Sequence, residues 1–91
     1  MTSCAVTITN SLGLHARAAA RFVHTASAYS ARIRVARGER EMDGKSIMGL
    51  LLLAASRGSA ITITADGPDE QAAVAALCAL IGRGLDEAPC A

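Results

Sequence analysis

The amino-acid sequence predicts an α/β two-layer sandwich in the order strand, helix, strand, strand, helix, strand, helix. Four short segments alternate apolar with polar residues, three others repeat apolar residues at intervals of three and four, and turns rich in Gly, Asn and Asp separate them. A chain of 91 residues has room for one compact domain, expected to span residues 1–91. Within it, helices with one apolar stripe need a sheet face to cover, and two layers provide it.

The first strand is expected over Cys4 to Thr9, with Val6 and Ile8 facing one way and Thr7 and Thr9 the other. Asn10-Ser11-Leu12-Gly13-Leu14 breaks that alternation with turn-forming residues. A helix should begin immediately after His15, its stripe made of Ala19, Phe22, Val23 and Ala26, with Arg17, Arg21 and His24 directed away. Ala31 to Ala36 alternates again, and Arg37-Gly38-Glu39 turns the chain into a short strand over Arg40 to Met42, which reads as a hairpin. After Asp43-Gly44-Lys45, Ser46 is placed to cap a short helix over Ile47 to Leu53. Gly49 inside that helix costs about 0.5–1 kcal/mol relative to alanine, which a close backbone approach would explain. Arg57-Gly58-Ser59 is a stop, and Ala60 to Ala65 supplies the last strand, with Ile61 and Ile63 on one face. Asp69 and Glu70 then stand at the positive end of a third helix, whose stripe is Ala73, Val74, Leu77, Leu80 and Ile81 and whose last turn Gly82 and Gly84 weaken.

Composition narrows the function. Nine basic and eight acidic residues give a formal charge of +1, too balanced for general attraction to nucleic acid, and one Tyr, one Phe and no Trp cannot build a base-stacking platform. The longest apolar run, Ile47 to Ala55, falls well short of the ~20 residues that span a bilayer, so no membrane insertion is expected. The N-terminal segment lacks the basic and then apolar order of a secretory signal, and the expected location is the cytoplasm. Cys4, Cys78 and Cys90 form no metal-ligand spacing; the first two lie in apolar stretches as small core residues, and Cys90 reads as an exposed thiol in the tail.

His15 is the candidate for chemistry, because it stands where a glycine-containing loop feeds a helix and Arg17 follows two residues later. An ordinary surface histidine at a helix start is the competing reading. Neutral imidazole is a nucleophile near neutral pH and can take a phosphoryl group. The first N–H groups of the helix, at Ala16, Arg17 and Ala18, would then face its oxygens, and the Arg17 guanidinium would offer them a planar cationic fork. His24 on the polar side of the helix suits a contact surface. His15 and His24 are nine positions apart with no converging ligand, so no metal is expected. Gly44-Lys45-Ser46 carries only the last three letters of a phosphate-binding loop, and no cofactor is expected.

The run Asn10-Ser11-Leu12-Gly13-Leu14-His15-Ala16-Arg17-Ala18-Ala19 resembles the active-site signature of the histidine-containing phosphocarrier proteins of bacterial phosphotransferase systems, the HPr family with its nitrogen-branch relatives. Lys45-Ser46-Ile47-Met48-Gly49-Leu50-Leu51-Leu52-Leu53-Ala54 is similar to the family's regulatory-serine segment, and Ala65-Asp66-Gly67-Pro68-Asp69-Glu70 to its entry into the last helix. The resemblance implies an open-faced sandwich whose four-stranded antiparallel sheet has the order 1-4-2-3 and is covered on one side by three helices. It implies that enzyme I phosphorylates His15 on Nδ1, that Arg17 assists, and that the group passes to an EIIA-type sugar-transport or nitrogen-branch acceptor. It also makes Ser46 a site for a serine kinase/phosphorylase, and Ile47 and Met48 part of a partner-binding surface. Ala20 and Leu51 can extend that surface, with core packing as the competing role of Leu51. The chain departs from the family at Ala18, where proline is common.

Such a protein is a phosphoryl-transfer intermediate rather than a stand-alone enzyme acting on a small molecule. The main alternative is a nonphosphorylated regulatory binding module with the same fold. An acyl carrier or hydrolase-like protein is disfavoured, because no serine has a cofactor-attachment context or a base and orienter.

Overall fold

A computed structural model describes residues 1–86; the expected exposed thiol of Cys90 lies outside the described residues. The elements follow the predicted order: β1 (Thr2–Thr7), α1 (Ala16–Ala26), β2 (Arg32–Arg37), β3 (Arg40–Asp43), α2 (Ile47–Leu53), β4 (Ala60–Asp66) and α3 (Glu70–Gly82). The sheet order is β1-β4-β2-β3. Every neighbouring pair is antiparallel, as the resemblance implies.

Alternation fixes which side of the sheet is covered. Ile33, Val35, Ile61, Ile63 and Ala65 point inward and are buried, while Arg32, Arg34 and Thr62 remain exposed on the other face. Phe22 from α1, Leu50 and Leu53 from α2, and Leu77 and Ile81 from α3 complete the same core. The open face carries Ser3, Ala5 and Thr7 of β1 beside Thr62 and Thr64 of β4, short side chains that water solvates without a third layer. Among the described residues no helix is long and apolar enough to cross a membrane.

β1 runs two residues earlier at each end than the expected Cys4 to Thr9. Its partner decides: β4 offers pairing from Ala65 opposite Thr2 to Ala60 opposite Thr7, and there the ladder stops. Ile8 keeps its inward direction but bonds to a loop instead, its N–H donating to Ser59 O at 2.9 Å and its carbonyl accepting Gly58 N–H at 2.8 Å. In α1 the stripe also differs slightly, since Ala18 is wholly buried and Val23 only half-buried. The third helix buries all five residues of the expected stripe.

Asp69 does precede α3, but its side chain does not cap that helix. Its carboxylate crosses to the start of β2, accepting the N–H groups of Ser30 and Ala31 at 2.8 Å each, and these bonds with the Ser30 hydroxyl hold it below the usual carboxylate range. Glu70 ties the start of α3 to β1. The Met1 ammonium at 2.8 Å, then the Thr2 hydroxyl and the Gly67 N–H, pull its pKa from 4.5 to about 2. Cys4 and Cys78 are half-buried against the core, and burial, followed by a hydrogen bond with the Cys4 thiol, pushes Cys78 up to about 12. A thiol so rarely ionised is a packing group.

Candidate functional site

The loop from Ile8 to His15 has a conformation that few sequences permit. Gly13 adopts φ +65°, and a Cβ there would lie 2.5 Å from the Ala55 carbonyl oxygen and 2.8 Å from Ser56 Cα, so glycine is required twice over. The approach is used, because Leu14 N–H donates to Ala55 O at 2.9 Å and joins the loop to the segment that follows α2. Leu14 is buried, and His15 behind it is half-buried. His15 has extended backbone, φ −76° and ψ 177°, and occupies the N-cap position of α1. The Nε2 atom of its ring is buried.

The first intrahelical bond of α1 runs from Ala19 N–H to His15 O at 2.8 Å. The N–H groups of Ala16, Arg17 and Ala18 therefore have no intrahelical acceptor and form the positive end of an 11-residue helix with no acidic residue in its first turn. Ala16 and Arg17 are exposed. Among the described residues no carboxylate pairs with Arg17. His24 is exposed in the last turn, where a basic side chain complements the helix dipole.

α2 buries Leu50 and Leu53 and turns its other side outward. Ser46 is half-buried and caps it by accepting Gly49 N–H on Oγ at 3.0 Å. A Cβ on Gly49 would lie 3.3 Å from both Met42 Cβ and Ser46 Oγ, which is the close approach its sequence position suggests. The helix ends at Leu53, ahead of the Arg57-Gly58-Ser59 stop, through Ala54 in the left-handed region at φ +52°. Two arginines of the β2–β3 hairpin meet its terminal carbonyls: Arg37 donates to Leu53 O at 3.0 Å and Arg40 to Leu52 O at 3.0 Å.

Of the expected partner-binding residues, Ala20 is exposed, Ile47 is 42% exposed and Met48 65%, whereas Leu51 is half-buried and packs against the core. The chain matches the family model described as "PTS HPr component phosphorylation site" over residues 2–83. The chain belongs to the HPr family. It is 48% identical over 81 residues to the phosphocarrier protein HPr of Cupriavidus necator, covering 89% of this chain and 91% of that one. It is 45% identical over 83 residues to the phosphocarrier protein NPr of Shewanella violacea, covering 91% of each. The crystal structure of HPr-C-His from Thermoanaerobacter tengcongensis superposes with a TM-score of 0.93 at 40% identity, over 98% of this chain and all of that one.

Two exposed side chains of this HPr-family surface are absent from the sequence expectation: Leu12, 67% exposed on the loop before His15, and Leu52, 55% exposed on α2. A signal existed for Leu52, four residues after Met48 and so on the same helix face. None existed for Leu12, whose exposure depends on how the loop folds around Gly13. Arg37 and Arg40 were also out of reach, because their acceptors lie 16 and 12 residues away along the chain.

Proposed function

We propose that this chain is a cytoplasmic phosphocarrier that receives a phosphoryl group on His15 from enzyme I and delivers it to an EIIA-type sugar-transport or nitrogen-branch acceptor. One observation carries the reading: His15 immediately precedes three N–H groups without intrahelical acceptors, and the exposed Arg17 beside them has no carboxylate partner among the described residues. Burial of Nε2 favours Nδ1 as the attacking nitrogen. In the first transfer, the Nδ1 lone pair attacks phosphorus in line as the bond to the donor nitrogen breaks. The second transfer reverses the roles, with His15 as the leaving group. The N–H groups of Ala16, Arg17 and Ala18 and the Arg17 guanidinium compensate the charge on the phosphoryl oxygens in both.

Ile47, Met48, Leu51 and Ala20, with Leu12 and Leu52, form the docking surface in this reading, and Ser46, the N-cap just before Ile47, is the regulatory site for a serine kinase/phosphorylase. The test is incubation with phosphoenolpyruvate and enzyme I, followed by ³¹P NMR and acid-lability of the label. Wild type should acquire one acid-labile phosphoryl group and His15→Ala none, with both folded by circular dichroism. Equal labelling of the two removes His15 from the reading, and a folded wild type that takes no label points to the nonphosphorylated binding module.

A further inference from the structure

The Ile8–His15 loop contains Asn10, 6% exposed and the one buried polar or charged residue among the described residues. A buried amide has to be hydrogen-bonded, and the bond it makes here leads directly to His15. Its Nδ2 donates to the Gly13 carbonyl at 2.7 Å, while its own backbone carbonyl accepts Gly13 N–H at 3.2 Å. The same Gly13 carbonyl accepts the His15 N–H at 3.0 Å. One oxygen thus receives both the Asn10 amide and the backbone of the nucleophile. Asn10 is itself held from behind. A Cβ on Gly84 would sit 3.8 Å from Asn10 Cβ, and the neighbouring Thr9 hydroxyl donates to Ile81 O at 3.2 Å at the end of α3.

We infer that Asn10 is a positioning residue for phosphoryl transfer, fixing the Gly13 carbonyl and through it the direction in which His15 presents its ring. The inference rests on the carrier reading above. Its chemistry is specific to a short amide. Alanine leaves Gly13 O held only by His15, and aspartate sets a carboxylate against a carbonyl, acceptor facing acceptor. Both changes release a turn whose Gly13 already lies in the left-handed region, so the ring of His15 samples orientations that miss the in-line path. Docking should be largely spared, since Ile47, Met48 and Leu52 of the proposed docking surface lie on α2 and only Leu12 rides on this loop.

The experiment measures phosphorylation by phosphoenolpyruvate and enzyme I for wild type, Asn10→Ala, Asn10→Asp and Asn10→Ser, separating kcat from KM for the carrier, with the backbone amide shifts of Gly13 and His15 followed by NMR. Expected for folded Asn10→Ala and Asn10→Asp is a kcat about tenfold lower or more, since misplacement of reacting groups is costly, with displaced Gly13 and His15 signals. KM should stay within about twofold, because lost transition-state alignment appears in kcat. Asn10→Ser keeps a donor and should recover part of the rate. A folded Asn10→Ala with wild-type kcat overturns the inference while leaving the carrier reading intact. A wild type that takes no label overturns both. Should Asn10→Ala fail to fold, the native protein decides through the scalar coupling between Asn10 Nδ2 and the Gly13 carbonyl carbon together with the Asn10→Ser rate: an observed coupling and an intermediate rate support positioning, and an absent coupling or an unchanged rate overturns it.

Discussion

Arg17 and Ala18 sit on adjacent residues of α1 and have opposite surroundings. Arg17 is exposed and has no carboxylate partner among the described residues, so replacing it removes little that the fold uses. Arg17→Ala should therefore slow transfer about tenfold or more through loss of a charge-assisted phosphate contact, while the melting temperature stays near wild type. Unchanged kinetics with both donor and acceptor would discount its role. Ala18 is wholly buried, and its N–H precedes the first helical bond, which starts at Ala19. Proline at that position removes no intrahelical bond, and Ala18→Pro is expected to keep the helical circular dichroism signal and to transfer at least as fast. Loss of that signal would mean that the buried pocket around Ala18 cannot take the ring. Periodicity made the helical register of both residues legible, but not the burial of Ala18, which lies outside the expected stripe. Asn10 escaped it, since nothing in a turn-forming run says which amide turns inward.

α2 has seven residues and depends on its two ends. Ser46 Oγ is committed to Gly49 N–H, so a phosphoryl group on Ser46 brings about −1.5 to −2 charges to the cap without removing an acceptor. The domain should stay folded, and the effect should fall on docking, because Ile47 and Met48 follow immediately. If enzyme I presents acidic groups to this side, phosphorylated Ser46 raises the apparent KM for the carrier, and added salt relieves part of the increase. Titrating the carrier against enzyme I at two salt concentrations checks this; an unchanged KM on fully phosphorylated Ser46 rejects the interface mechanism, and loss of folded protein assigns Ser46 a purely structural role. The N-terminal cap of this helix could be read from Ser46 preceding an apolar run. Its last residue, Leu53, was also the one expected, but the way that end is closed was not, for no glycine follows Leu53: Ala54 takes the left-handed conformation, and arginines from another element satisfy the carbonyls. Long-range side-chain bonds of this kind leave no periodic trace. The strand order was legible only through resemblance, since alternation states which residues face inward and not which strand lies beside which.

For the molecule as a whole, acid should loosen the junction where α3 meets the sheet. Glu70 is depressed to about 2, so its bonds to the Met1 ammonium, Thr2 and Gly67 stabilise the native state fully above an unfolded value near 4.5 and are lost as pH falls towards 2. Asp69, also depressed by its bonds to Ser30 and Ala31, acts with the same sign. Melting curves of wild type and Glu70→Gln should differ most at about neutral pH and converge as pH drops through that window. A gap that stays constant to the acid end would deny Glu70 this role. The same architecture, a sheet bare on one side, also limits how such a carrier can be used. Among the described residues, the large exposed apolar side chains other than Met1 belong to α2 and to the loop leading into His15, and the opposite face offers serines, threonines, arginines and the small Ala5. If the chain carries phosphoryl groups as proposed and this surface is where partners dock, donor and acceptor would claim the same ground, and neither could dock until the other had left. Transfer would then be a relay by turns with no three-protein complex, and ping-pong kinetics are expected in which an excess of either partner, by occupying the shared landing place, slows the traffic it is meant to carry.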